Sequence, residues 1–346
     1  PSLTRTPLRF PRLGLAQLAL FFIGVSGMIT HFALGQWSGV WSAALVVIAS
    51  IVLFTINMFT CLWKQIGRAA SDSGIAISIA FLLVAACAGF ALALDKSHNF
   101  LGGDVVSNIA GHASLAAIGW VAIAVCAVSY RMLPAFLLPT GPFFRFKAVQ
   151  IAALAAGVAG LATALFAESA AAIVAAAVVV AALALYLAMV ARMASKRRAP
   201  MIWPLFHAFS GLVFLVVSSV LGLVLARIGA QSIIGARMAS AYGLCGLLGF
   251  FSNFIIGISY QLLPGFVAKA RTARGWPPKA SMEFVISVPR AFVFTAFNVG
   301  IIIAAAGLLL NNVPVAQIGA VLSAAGGIVY AGGLLQTLSR AYLQRL

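Results

Sequence analysis

Imidazole binds transition metals near neutral pH and also serves as an ordinary hydrogen-bonding group. The chain has 4 histidines, His31, His98, His112 and His207. His112 stands near the start of GHASLAAIGWVAIAVCAVSYRMLPAF, residues 111–136, a helix-length apolar run that ends on Tyr-x-x-Leu-Pro. A second stretch, AYGLCGLLGFFSNFIIGISYQLLPGF, residues 241–266, repeats the frame with Tyr242 in the place of His112. An imidazole inside a long apolar run either hydrogen-bonds within the protein or binds something. The residue type and its position leave both roles open.

The elements that carry these residues follow from composition. With 63% hydrophobic and 8% charged residues in 346, the chain cannot cover a soluble core with polar surface. A spanning helix needs about 20 apolar residues. Ten such spans are expected, at 13–34, 38–62, 73–94, 105–134, 147–167, 169–191, 203–226, 236–266, 287–310 and 313–338. The runs are continuous and rich in Ala, Leu, Val and Gly, without the alternation of a membrane barrel. The expectation is an all-α, polytopic bundle forming a single integral membrane domain over 1–346. The basic segment from Thr4 to Arg12 leads into a full span with another close behind, as in a retained first helix rather than a signal peptide.

Charge orients the spans. If the N-terminus is cytoplasmic, all of the 22 basic residues except Lys96, Arg227 and Arg237 fall on the cytoplasmic side, as the positive-inside rule requires. Both termini are then cytoplasmic. Trp37 and Trp41 fall at the outer interface, Trp63 and Trp203 at the inner one. The net charge of +17 is explained by topology and anionic lipid, and calls for no nucleic-acid partner. In this frame His31 ends helix 1 on the outer side, His98 lies in the outer loop after helix 3, and His112 sits about two turns inside helix 4. His207 begins helix 7 on the opposite side.

Aligning residue i with i+130 gives Gly119/Gly249, Ser129/Ser259, Tyr130/Tyr260, Leu133/Leu263, Pro134/Pro264 and Phe136/Phe266. The expected organisation is an N-terminal hairpin, 1–70, followed by two four-helix copies: repeat 1 (71–200, helices 3–6) and repeat 2 (201–346, helices 7–10). An offset of four helices keeps the copies parallel about an axis along the membrane normal and puts His112 and Tyr242 at one depth. The simpler reading is that the glycines allow close helix contact and the Leu-Pro pairs end the helices.

The segment from His112-Ala113-Ser114-Leu115 through Gly119-Trp120 to Tyr130-Arg131-Met132-Leu133-Pro134 resembles the HAHLGLLGW … YxxLP helix of short proteins related to subunit I of the haem-copper oxidases, among them the NnrS-type membrane proteins. The resemblance implies haem ligated by His112 in the outer half of the membrane, with His31, His98, Tyr242 or a partner protein supplying the opposite ligand. It also implies a copper site from the same outer residues, and a bacterial inner-membrane location beside other subunits of a redox complex. The chain departs at Ser114, where the family helix has its second histidine, and at Tyr242, where the repeat would carry one. A binuclear centre with a further haem takes about six histidines. With 4 in the chain, a complete terminal oxidase is excluded.

Other chemistries lack their residues. Cys61, Cys87, Cys126 and Cys245 occur singly, with no C-x-x-C-H for a covalently attached haem. Asp95, Asp104 and Glu168 belong to outer loops, and Asp72 and Glu283 lie near inner helix ends, so no carboxylate marks a mid-membrane ion path. Asn57, Ser252, Asn253 and Asn298 read as hydrogen-bonded helix packing. No H-E-x-x-H, Walker A or Gly-x-Ser-x-Gly sequence occurs. Three readings remain: a haem-binding redox protein, a cofactor-free scaffold subunit of a respiratory or photosynthetic complex, and a small-molecule or metal carrier.

Overall fold

A computed structural model of the chain describes residues 9–276, 279–280 and 284–343, without the side chains of 340–343. Thr4, Arg5, Glu283, Arg345 and the side chain of Arg340 lie outside them. Among the described residues the regular elements are all helices, and ten are long and apolar enough to cross a membrane. They are α1 (Pro11–Leu34), α2 (Trp37–Leu62), α3 (Ala70–His98), α4 (Val105–Leu137), α5 (Lys147–Phe166), α6 (Ala172–Ser195), α7 (Trp203–Ile228), α8 (Ile233–Ala273), α9 (Arg290–Leu309) and α10 (Val313–Leu343). In lipid each peptide group must find its partner within its own segment, which continuous helices achieve. The protein is therefore a multi-pass integral membrane protein of the all-α class.

The helix ends follow local chemistry. Asp104 caps α4, its Oδ2 accepting the Ser107 N–H at 2.8 Å, and Ser232 caps α8, its Oγ accepting the Gly235 N–H at 3.0 Å. At the other end of α1, Gly35 takes the left-handed conformation (φ 67°) and its N–H bonds back to Phe32. The Leu-Pro pairs do not end their helices: α4 continues from Pro134 to Leu137, and α8 runs from Pro264 to Ala273. A proline removes one backbone donor, and the flanking turns carry the helix through it.

Both long helices change pitch in mid-course. Leu115–Ala122 of α4 and Cys245–Ser252 of α8 are π-helical. The wider turn shifts every later side chain around the axis relative to an unbroken α-helix, and such segments recur at functional sites.

The chain forms two compact units, residues 1–198 and 199–346. In the first, Gly24 of α1 meets Val47 of α2 so closely that a Cβ would fall 2.7 Å from the valine side chain. Asn57 ties α2 to the chain before α1, its Nδ2 donating to the Phe10 carbonyl at 2.9 Å. In the second unit Gly300 of α9 lies against the backbone of Ser323 on α10, where an added Cβ would overlap the Ser323 N–H. Small residues permit this approach, and van der Waals contact replaces the hydrophobic drive that lipid removes. Gly119 and Gly249 make the close helix contact expected of them. Each faces a phenylalanine ring of the preceding helix, Phe81 and Phe214, that a Cβ would strike at 2.7 and 2.4 Å.

Candidate functional site

His112 lies two turns into α4 and turns toward α3. Its Nδ1 is 3.0 Å from the carbonyl oxygen of Ala85. A carbonyl only accepts, so Nδ1 carries the proton and Nε2 keeps its lone pair. The ring lies along Gly89, one turn further on α3, where a Cβ would approach Cε1 to 2.7 Å. His112 is half-buried, and no hydrogen bond to Nε2 occurs among the described residues. One nitrogen is thus held by a backbone carbonyl and the other is without a hydrogen bond among the described residues, a geometry open both to packing and to ligation.

The remaining candidates do not join it. Tyr242 of α8 packs in the same manner on Gly222 of α7, where a Cβ would come within 3.0 Å of its ring. His31 lies across Gly39 at the start of α2, with Nδ1 3.3 Å from Gln36 Oε1. His98 is the exposed last residue of α3, not part of a loop, because α3 extends beyond the expected 73–94. Among the described residues no hydrogen bond or ring contact links His112 to His31 or His98. No group of three or more His, Cys, Asp or Glu there suits a metal ion. The copper site expected from the outer residues thus has no ligand cluster among them.

Polar groups that sequence reasoning passed over form the interior of each unit. In the first, Asp72 at the start of α3 is buried and pairs with Arg131 of α4, Oδ2 to Nη2, at 2.9 Å. Gln150 of α5, fully buried, accepts the Tyr130 hydroxyl at 2.7 Å, and its Nε2 reaches Cys126 Sγ at 3.9 Å. Ser129 meets the Tyr186 hydroxyl at 2.8 Å. Asp72 was placed at a helix end by hydropathy, which says nothing about its neighbour. The signal available was rarity: few acids exist in this chain, and one that interrupts an apolar pattern needs a cation.

In the second unit His207 of α7 is fully buried, with Nδ1 2.8 Å from Asn253 Oδ1 on α8. Asn253 Nδ2 donates to the Gly249 carbonyl at 2.7 Å and to Asn298 Oδ1 on α9 at 2.9 Å. Ser210 also donates to Asn298 Oδ1, at 2.6 Å. This network bears out the packing role expected of Asn253 and Asn298 and adds His207 to it. Ser252 stays within its own helix, donating to the Leu247 carbonyl at 3.1 Å, a five-residue reach that the π-helical turn allows.

Compared with known proteins, the chain matches no family model and no curated sequence. The class of the molecule, an integral membrane protein with ten spanning-length helices among its described residues, rests on its own sequence.

Proposed function

We propose that this is a haem-binding, redox-related membrane protein, similar to a reduced oxidase subunit I and not itself a terminal oxidase, with His112 as an axial ligand. The observation that carries the reading is the His112 imidazole. Its Nδ1–H is fixed on the Ala85 carbonyl at 3.0 Å, and its Nε2 lone pair is the one nitrogen left for iron. The donor fits the group in chemistry and tautomer. Gly89 supports the ring from behind, and a side chain there would push it off its carbonyl. When bound, haem would supply one-electron chemistry at a potential set by its axial ligands and the polarity around it. A second protein group for the iron would come from a partner subunit of a membrane redox complex, since His31 is bonded to Gln36 and His98 is exposed at the end of α3.

The same proposal includes a parallel duplication of α3–α6 in α7–α10, with both termini on the cytoplasmic side of a bacterial inner membrane. In its favour, the two π-helical segments stand 130 residues apart, as do His112 and Tyr242, each packed on a glycine of the preceding helix.

The test is the visible absorption spectrum, oxidised and dithionite-reduced, of the purified protein beside His112→Ala. A Soret and α-band pair present in the first and lost in the second is expected. A featureless spectrum with no extractable haem sinks the haem reading and leaves a cofactor-free scaffold, for which the bond to Ala85 alone accounts for the buried imidazole.

A further inference from the structure

The core of the second unit holds two buried polar atoms of opposite hydrogen-bonding sense. His207 commits its Nδ1–H to Asn253 Oδ1 at 2.8 Å, which leaves Nε2 as an acceptor. No described residue donates to Nε2. The imidazole and Tyr260 rings lie side by side, centroids 5.9 Å apart, and the Tyr260 hydroxyl is likewise buried without a partner among the described residues. Around the pair stand Phe294, edge-on to the imidazole at 5.2 Å, Tyr330, edge-on to Tyr260 at 5.6 Å, and the Arg290 guanidinium, 5.6 Å from the Tyr260 ring centre.

Buried polar atoms without partners are costly, and interiors repair them with a side chain or an ordered water. The first unit uses a side chain. There the Gln150 carboxamide accepts from the Tyr130 hydroxyl and offers its N–H to Cys126. Aligning Gly157 of α5 with Gly300 of α9 under the proposed duplication puts Val293, whose side chain has neither an acceptor nor a donor, at the place of Gln150.

We propose that the His207–Tyr260 pair is a binding site for one neutral molecule of water's size, that it accepts from Tyr260 O–H and donates to His207 Nε2, and that the guest is water. The site would extend the Ser210–Asn298–Asn253–His207 network to Tyr260. Because both atoms are enclosed, the guest exchanges only when the helices part locally.

The experiment is water-edited solid-state NMR of the full chain in lipid bilayers, labelled with 15N-histidine. His31, His98 and His112 are each replaced by glutamine, which leaves His207 as the one imidazole. The expected result is an Nε2 resonance displaced from the free, lone-pair position, with magnetisation passing to it from water. Tyr260→Phe is expected to lose most of that transfer, and Val293→Gln, which brings in an amide, to abolish it. An Nε2 at the free position overturns the proposal. So does a hydrogen-bonded Nε2 that receives nothing from water; if Tyr260→Phe then restores the free position, the two side chains bond directly. Should the triple replacement not fold, the natural chain serves, and the His207 signal is the one that Tyr260→Phe and Val293→Gln both move.

Discussion

In the first unit Tyr130 donates to Gln150 at 2.7 Å. In the second, Tyr260, at the same place in the Ser-Tyr-x-x-Leu-Pro frame, has no described acceptor, and valine stands where glutamine would. The reverse holds about two turns earlier on α8, at Asn253. His207, Asn253 and Asn298 are hydrogen-bonded in the second unit, while the residues that the proposed duplication pairs with them in the first, Gly74, Ile123 and Ala155, are apolar. Under the proposed duplication, Leu205 and Gln261 stand in the second unit where the first has its Asp72–Arg131 ion pair. Glycines packed on a ring are found in both units, whereas their interior polar groups differ. An apolar surface in lipid gains little from burial, so the shape of the packing fixes the helices, and hydrogen bonds are free to differ wherever each is locally complete.

Three pairs of substitutions break or sharpen that contrast, read as shifts of the unfolding midpoint in mixed micelles. The largest effect belongs to Arg131→Gln, which leaves the buried Asp72 carboxylate without its cation and is expected to cost about 2–4 kcal/mol, the range being lowered by the partial exposure of Arg131. Gln261→Ala, at the corresponding exposed position, should stay within about 0.5 kcal/mol. Equal losses at the two positions would show that the ion pair does not hold α3 to α4.

Asn253→Leu comes next. It removes the partners of His207, Gly249 and Asn298 together, and about 2 kcal/mol is expected, more than a single interhelical hydrogen bond in lipid provides. Ile123→Leu, at the matching site, should cost under about 1.5 kcal/mol as a volume-conserving exchange.

The smallest effect is the most discriminating. Tyr130→Phe leaves Gln150 Oε1 without a donor and should cost about 1 kcal/mol. Tyr260→Phe removes a hydroxyl with no protein partner and should cost less than Tyr130→Phe. A larger loss at Tyr260 would mean that its hydroxyl is anchored more firmly than that of Tyr130.

Much of the fold is legible in the sequence. Ten apolar runs give ten helices, with ends that shift by a few residues where a cap or a proline intervenes. Asp104 and Ser232 cap α4 and α8 locally, whereas Pro134 and Pro264 fall inside their helices because the surrounding turns stay intact. Less of the candidate site is legible. His112 stands out because an imidazole in an apolar run is rare, yet its tautomer depends on Ala85, which lies on another helix and contributes only a backbone carbonyl. Backbone acceptors leave no mark in side-chain patterns. The partners of Gln150 and His207 are not legible for a related reason: each residue sits on a hydrophobic helix whose periodicity gives no hint of which neighbour it meets.

The sequence by itself determined the class of the protein, the number of its spans and the residues that interrupt them, because transfer to lipid depends on composition and run length. Only the tertiary structure decided that His112 turns to α3, that Asp72 finds Arg131, that Gln150 satisfies Tyr130, and that His207 and Tyr260 meet with atoms unpaired among the described residues. Hydropathy acts along one segment, whereas a hydrogen bond requires two segments to be placed within about 3 Å of each other, and that placement is set by packing.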